Sequence, residues 1–233
     1  VSLDDMQTIN VIRDQMEYAI RESLADLKKM VILDMDDTIL HGRFIEKAAE
    51  QHGFRKEFVD ILAADQEPYI RTKLIARLLK GKSIADIVAV ADSIPIVDDA
   101  CLVVTELRKR GYVVGIISDS YDVVTNHLKN KLGLDFSVAN ELEFSKSIAT
   151  GEVKVPSAFL RTGRSTCNHE FCKSNVMFQL AEKYSIEVKN IIAVGDSEND
   201  FCIVKESGTG ISFCSENKYL NYVADLQITE KSF

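Results

Sequence analysis

Two runs of hydrophobic residues in this chain stop abruptly in carboxylates. In Val31-Ile32-Leu33-Asp34-Met35-Asp36-Asp37-Thr38 a short apolar run ends in three acids, and Asn190-Ile191-Ile192-Ala193-Val194-Gly195-Asp196-Ser197-Glu198-Asn199-Asp200 ends in acids again. Val31 to Leu33 have no helical spacing, are rich in β-branched residues and suit a core strand of a parallel sheet. In open α/β sheets ligands bind outside the carboxyl ends of the strands, so Asp34 and Asp36 fall in the binding crevice. Carboxylates this close repel one another in a dry site, and a divalent cation is the usual way to hold them together, which implies Mg²⁺. An Asp so placed is a metal ligand only, or else a nucleophile that attacks phosphorus through an aspartyl-phosphate. An acidic loop that merely caps a strand is the plain alternative.

Gly111-Tyr112-Val113-Val114-Gly115-Ile116-Ile117-Ser118 repeats the design with a hydroxyl at its tip, followed by a helix-like segment from about Tyr121. Ser118 there binds phosphate through its hydroxyl and the free N–H groups of the helix start, or caps the helix. Lys173 opens a helix-like stretch from Ser174 to Tyr184 just before the second acidic run. Taken alone it reads as a surface lysine.

These residues need a scaffold, and the patterning supplies one. Residues 1–29 carry Leu3, Met6, Ile9, Ile12, Met16, Ile20, Leu24 and Leu27 at mostly helical spacing, an amphipathic helix expected to pack on the core. From 43 to 96 no strand pattern appears, and Phe44, Ala48, Phe58, Ile61, Leu74, Leu78, Ile87 and Val88 predict several short helices. From Asp98 strands and helices alternate, which predicts a doubly wound, mostly parallel, Rossmann-like α/β sheet with an inserted helical cap. The core is then 30–42 plus 97–233, and the cap 43–96. A short strand is expected near Phe136 to Ala139, and a small β-excursion over Glu141 to Val155 with its turn at Gly151. Residues 163–172 read as a loop leading to Lys173. Cys167, His169 and Cys172 in it are metal-ligand types, but three residues with no obvious fourth nearby do not complete a tetrahedral zinc site.

At 233 residues and 46% hydrophobic content the chain can bury a real core. A net charge of -8 argues against nucleic-acid or anionic-membrane partners and leaves a small molecule as the default. No apolar run is long enough to cross a membrane, and five irregularly spaced cysteines fit reduced thiols, so a cytoplasmic location is expected.

Asp34-Met35-Asp36-Asp37-Thr38 resembles the DxDxT motif of the haloacid dehalogenase (HAD) superfamily, and Gly195-Asp196-Ser197-Glu198-Asn199-Asp200 its GDxxND motif. The resemblance implies a Mg²⁺-dependent phosphatase acting on a small phosphorylated metabolite. It makes Asp34 the nucleophile and Asp36 the general acid/base. Lys173 and Ser118 position the phosphate. The metal is held by Asp34, the Asp36 main chain and Asp196, with Asp200 and Asn199 completing or orienting the shell. A phosphotransferase with the same intermediate, or a regulatory module that binds metal and phosphate with little turnover, stays open. From Val31 to about Ile228 the layout is most similar to the phosphoserine phosphatases of that superfamily. Two departures stand out. Ser118-Asp119-Ser120 replaces Ser-Gly-Gly, and Arg43 stands where those enzymes carry a Glu for the substrate amine. Arg71 is placed like their arginine for the substrate carboxylate; Arg77 is a further cap residue suited to an anion.

Overall fold

The structure, a computed structural model, describes residues 9–20 and 28–233. Seven strands form one sheet: β1 (Lys29–Leu33), β2 (Tyr112–Tyr121), β3 (Phe136–Ser145), β4 (Ile148–Lys154), β5 (Ile191–Gly195), β6 (Thr209–Phe213) and β7 (Leu226–Ile228). Their order across the sheet is β4-β3-β2-β1-β5-β6-β7, and every pairing is parallel except β3 with β4. The chain winds from β1 outward through β2, then returns to place β5 on the other side of β1. Where the winding reverses, the two neighbouring loops diverge and leave a crevice. Both acidic motifs are at this point.

A helix, α1, covers residues 9–20. Ile9, Ile12, Met16 and Ile20 on it are each more than half exposed, so the core packing expected of this face is not what the structure has over 9–20. The rest of the stretch predicted as helix up to residue 27 lies outside the described residues. Next come α2 (Phe44–His52), α3 (Arg55–Ala63), α4 (Pro68–Leu78) and α5 (Ile84–Asp92), with no strand among them. Leu40 and Ile96, on either side of these helices, pair in an isolated bridge that closes the base of the segment. The remaining helices are α6 (Ala100–Lys109), α7 (Asp122–Leu132), α8 (Lys173–Tyr184), α9 (Phe201–Glu206) and α10 (Lys218–Val223).

Successive side chains of a strand point to opposite faces, and β1 shows it. Val31 and Leu33 join a core cluster with Phe44, Ile87, Val104 and Leu128, while Met30 and Ile32 join one with Val176, Met177, Leu180 and Ile203. Burial on both faces explains why β1 and β5 read as unbroken apolar runs.

The β3–β4 hairpin differs from expectation. β3 continues past Ala139 to Ser145, and the turn is the pair Lys146-Ser147, not Gly151. Both turn residues have positive φ, 49° and 66°, which a two-residue hairpin requires and which Gly or Asn usually supplies. Without Gly or Asn there, the turn left no sequence signal. Gly151 instead lies within β4, where a Cβ would come within 3.3 Å of the Arg77 Cα, so it lets α4 lie close against the strand. Ser83↔Ile148 bridging and the Gly81 N–H to Ala149 carbonyl bond (2.9 Å) tie the helical segment to this hairpin.

Gly115 pairs with Phe136 in the β2–β3 register, and a Cβ there would fall 2.5 Å from the Phe136 ring. Gly115→Ala should therefore destabilise the fold by about 1–3 kcal/mol, the usual range for overpacking a core. Chemical denaturation checks this, with Phe136→Leu in the same background expected to recover part of the loss.

Candidate active site

The sheet brings the two acidic motifs side by side. Leu33 pairs with Val194, and the Asp34 N–H continues the ladder to the Val194 carbonyl at 2.9 Å, so Asp34 and Asp196 leave adjacent strand ends. After Asp34 the backbone turns sharply, with Asp37 in the left-handed region (φ 55°), a conformation Asp tolerates better than most residues. This turn aims Asp36 towards α2. Its Oδ1 accepts the Phe44 N–H at 2.8 Å, so the carboxylate holds the start of the helical segment.

Asp34, Asp196 and Asp200 each place a carboxylate oxygen within 4.8 Å of the others'. Lys173, the first residue of α8, reaches across the sheet end and donates to Asp34 Oδ1 and Asp200 Oδ1, both at 2.7 Å. All three side chains are more than nine-tenths buried. Asp200 also accepts on Oδ2 from the Asp196 and Ser197 amides, each at 3.2 Å. Gly195 allows this, since a Cβ there would fall 2.3 Å from the Asp200 carboxyl carbon. Ser118 is buried at the end of the regular part of β2, and its Oγ accepts the Ser120 N–H at 3.1 Å.

Electrostatics follow from burial. Burial pushes Asp34 well above the ordinary carboxyl range, with Lys173 opposing and Asp200 and Asp196 adding to the rise. For Lys173 burial works downward, but Asp200, Asp34 and Asp119 outweigh it and hold the ammonium protonated. Asp196 rises to about 6 and Asp36 to about 7, both mainly through burial; the Phe44 amide and Lys173 restrain Asp36. One buried ammonium does not balance this many acids. The remaining imbalance and the all-oxygen donor set suit a small, hard divalent cation such as Mg²⁺.

The other predicted residues divide. Asp119 is open to solvent but ringed by protein; burial raises its carboxyl, Lys173 opposes, and Asn199 hydrogen-bonds to it. Arg43 joins the acids, with Nε 3.0 Å from Asp37 Oδ2 and an η nitrogen 3.9 Å from Asp196 Oδ2. Arg71 does not: it lies on α4, its nearest acceptor is the Gln66 carbonyl at 3.5 Å, and its buried Nε has no partner among the described residues. Arg77, also on α4, is exposed.

Several supports lay outside the predicted site residues. Asn140 donates to the Asp119 carbonyl at 2.6 Å, Ser215 donates to the Asp196 carbonyl, and Lys231 donates to the Asp37 carbonyl at 2.9 Å. Tyr121 is buried beside Asp36, and its phenol is pushed upward by burial and by that carboxylate. The loop before Lys173 also needs correcting. It is a hairpin closed by a Leu160↔Phe171 bridge, and a fourth metal-ligand residue does lie near Cys167, His169 and Cys172. That residue is Cys202 of α9, thirty residues further along, brought there because α9 begins beside the start of α8.

Comparison with known proteins adds to the geometry. The model of the family described as "Putative Phosphatase" matches residues 29–220. The phosphoserine phosphatase of Methanocaldococcus jannaschii is 28% identical over 208 residues, covering 88% of this chain and 93% of its own. That of Archaeoglobus fulgidus is 29% identical over 209 residues, again 88% of this chain but 58% of its own length. A solved structure of a phospho-aspartyl intermediate analogue of phosphoserine phosphatase superposes with a TM-score of 0.73 at 27% identity, over 88% of this chain and 95% of that one.

The raised Asp36 has a consequence for stability. It keeps its proton to about pH 7 when folded, but an unfolded Asp loses it near pH 3.9. The folded state therefore binds the extra proton, and metal-free protein should lose stability as pH rises from about 4 to 7, by up to roughly 1.4 kcal/mol per pH unit from this group. Urea unfolding at pH 5 and pH 7 measures the slope, and Asp36→Asn, which cannot titrate, should reduce it, the remainder coming from Asp196 and Asp34, which are raised as well.

Proposed function

Since the chain belongs to the "Putative Phosphatase" family and is a phosphatase of the haloacid dehalogenase type, we propose that it hydrolyses a small phosphomonoester through an aspartyl-phosphate on Asp34, with Mg²⁺ bound. The observation that carries this reading is the contrast between two acids two residues apart. Asp34 is buried against Lys173 in the carboxylate cluster, and Asp36 is held near pH 7, where one group can serve as acid and then as base.

An Asp34 oxygen attacks phosphorus in line, and the P–O bond to the substrate alcohol breaks. Asp36 gives its proton to the departing oxygen. A water then attacks phospho-Asp34 while Asp36 takes back a proton, and inorganic phosphate leaves with Asp34 restored. Lys173 stays charged throughout and offsets negative charge beside Asp34. The Ser118 hydroxyl, whose oxygen accepts from Ser120, keeps its own proton for a phosphate oxygen. Asp34, Asp196 and the Asp36 main-chain carbonyl, supported by Asp200 and Asn199, would hold Mg²⁺, which neutralises charge on the phosphoryl oxygens when bound. Residues 43–96 act as the cap. Their first helix hangs on Asp36, and Tyr69 of α4 stacks on Phe171 (5.2 Å between centroids) two residues before Lys173, so the segment spans the crevice and keeps water from it.

Asp34→Asn should abolish phosphate release with Mg²⁺ across a panel of phosphomonoesters while leaving the circular dichroism unchanged; appreciable turnover by it removes the nucleophile. Asp36→Asn should cost roughly 10²–10⁴-fold in kcat. Chelation should stop the reaction and Mg²⁺ restore it, with Ca²⁺ a poor substitute because its looser shell tolerates geometries that in-line transfer does not. Release of inorganic phosphate in preference to transfer onto added alcohols separates a hydrolase from a phosphotransferase.

The name of the relatives points to phosphoserine, and the site departs from it. Arg43, fixed by Asp37 beside Asp196, puts a guanidinium where the resemblance places a carboxylate for the substrate amine. It penalises an ammonium and favours an anion or hydroxyl. The buried, unpaired Nε of Arg71 is suited to a carboxylate or phosphate on the substrate. Phosphoserine should therefore not be the preferred substrate. A kcat/KM for phosphoserine tenfold or more above amine-free phosphomonoesters, about 1.4 kcal/mol in transition-state binding, overturns this.

A further inference from the structure

A second constellation of metal-ligand atoms is built from residues just before Lys173 and just after Asp200 in the chain and takes no part in the phosphatase reading. Sγ of Cys167, Cys172 and Cys202 and a ring nitrogen of His169 all lie within 4.8 Å of one another. The His169 Nδ1 faces the cluster, 3.4 Å from the Cys202 Sγ. Three of the four come from the hairpin between Leu160 and Cys172, closed by the Leu160↔Phe171 bridge and by the Cys172 N–H to Phe159 carbonyl bond at 2.8 Å. The fourth comes from the first turn of α9, directly after Asp200.

Packing alone does not account for this grouping. Buried cysteines are common as small hydrophobes, and Cys172 and Cys202 are buried. His169 is exposed and Cys167 is only half-buried, yet both turn inward onto those sulfurs. All five cysteines of the chain are free thiols, so no disulfide explains the approach. Three thiols and an imidazole are soft and borderline donors. A tetrahedral ion with bonds of about 2.0–2.3 Å needs donors roughly 3.5–4 Å apart, so a small inward shift completes the set. Four protein ligands leave no open position for water or substrate, which marks a structural centre and not a catalytic one.

We propose that Cys167, His169, Cys172 and Cys202 bind one Zn²⁺ ion that fastens the 160–172 hairpin to the start of α9. Cys172 precedes Lys173 and Cys202 follows Asp200 by two residues, so the ion ties together the starts of the two helices that carry the buried Lys173–Asp200 pair. It also fixes Phe171, on which Tyr69 of α4 stacks. The hairpin has little core of its own, since most of residues 160–170 are exposed, and a metal crosslink supplies the order that packing does not.

Metal analysis of the full chain, expressed with zinc in the medium and purified without chelator, tests this. One zinc per chain is expected, unchanged by added Mg²⁺. Exchange with Co²⁺ should give the visible absorption of a tetrahedral cobalt centre together with thiolate-to-cobalt charge transfer in the near ultraviolet, a signature the all-oxygen acid cluster cannot produce. His169→Gln and Cys167→Ser alter exposed or half-buried hairpin positions and should keep the fold by circular dichroism. Each should lower zinc content to well under half an ion per chain after mild chelation, whereas Cys214→Ser, outside the cluster, should retain it. Zinc-free protein from zinc-supplemented cells, unaltered zinc retention in both hairpin variants, or a native Cys172–Cys202 disulfide found by non-reducing mass spectrometry overturns the assignment. None of these readouts depends on phosphatase activity.

Discussion

The fold converges on a buried ammonium. Lys173 sits between Asp34 and Asp200 at 2.7 Å from each, with all three side chains removed from water. Removing one partner of a buried pair generally costs about 3–5 kcal/mol, because the charge left behind has neither solvent nor counter-charge. The geometry is therefore strongly determined. Asp34 comes from the end of β1, Asp200 from the turn after β5 and Lys173 from the start of α8, so the contact holds only while β1, β5 and α8 keep their places. Asp200 serves both sides of this arrangement: one oxygen takes the lysine, and the other takes the two amides of the turn that carries Asp196.

Around that contact the acids are deliberately unbalanced. Burial raises Asp34, Asp36 and Asp196 together, which means that folding disfavours the charged forms these groups would hold in water. Ionising all of them in such a site is costly without a cation. The helical segment between β1 and β2 is attached at the same spot. Asp36 fixes the start of α2, Leu40 pairs with Ile96 at the segment's base, and its far side rests on the β3–β4 hairpin and on Phe171. Movement of this segment would be felt first at Asp36.

Much of this was legible in the chain. The apolar runs of β1 and β5 ended in acids because strands buried on both faces need continuous hydrophobicity and stop where the sheet meets solvent. The order of strands, helices and acidic ends pointed to a doubly wound sheet with Asp34, Asp36 and Asp196 just beyond its strand ends. The helical insert between β1 and β2 was visible as a change of period. Less visible were features whose signal is conformational. Lys146-Ser147 makes a tight turn in a left-handed backbone without the residues that advertise one, and Gly151 looked like a turn although its role is a close approach to α4.

The sequence by itself determined which residues can carry charge and chemistry, and where each strand stops, because hydrophobic period and residue type are local properties. Only the tertiary structure decided which of those residues meet. That Lys173 is a buried counter-ion and not a surface lysine depends on α8 starting against the ends of β1 and β5, across 139 residues of chain from Asp34. That Arg43 joins the acids while Arg71 stays apart follows from the turn at Asp37 and from the course of α4. Cys202 became a partner of Cys167, His169 and Cys172 because α9 begins beside α8, a contact between segments thirty residues apart that no local spacing encodes.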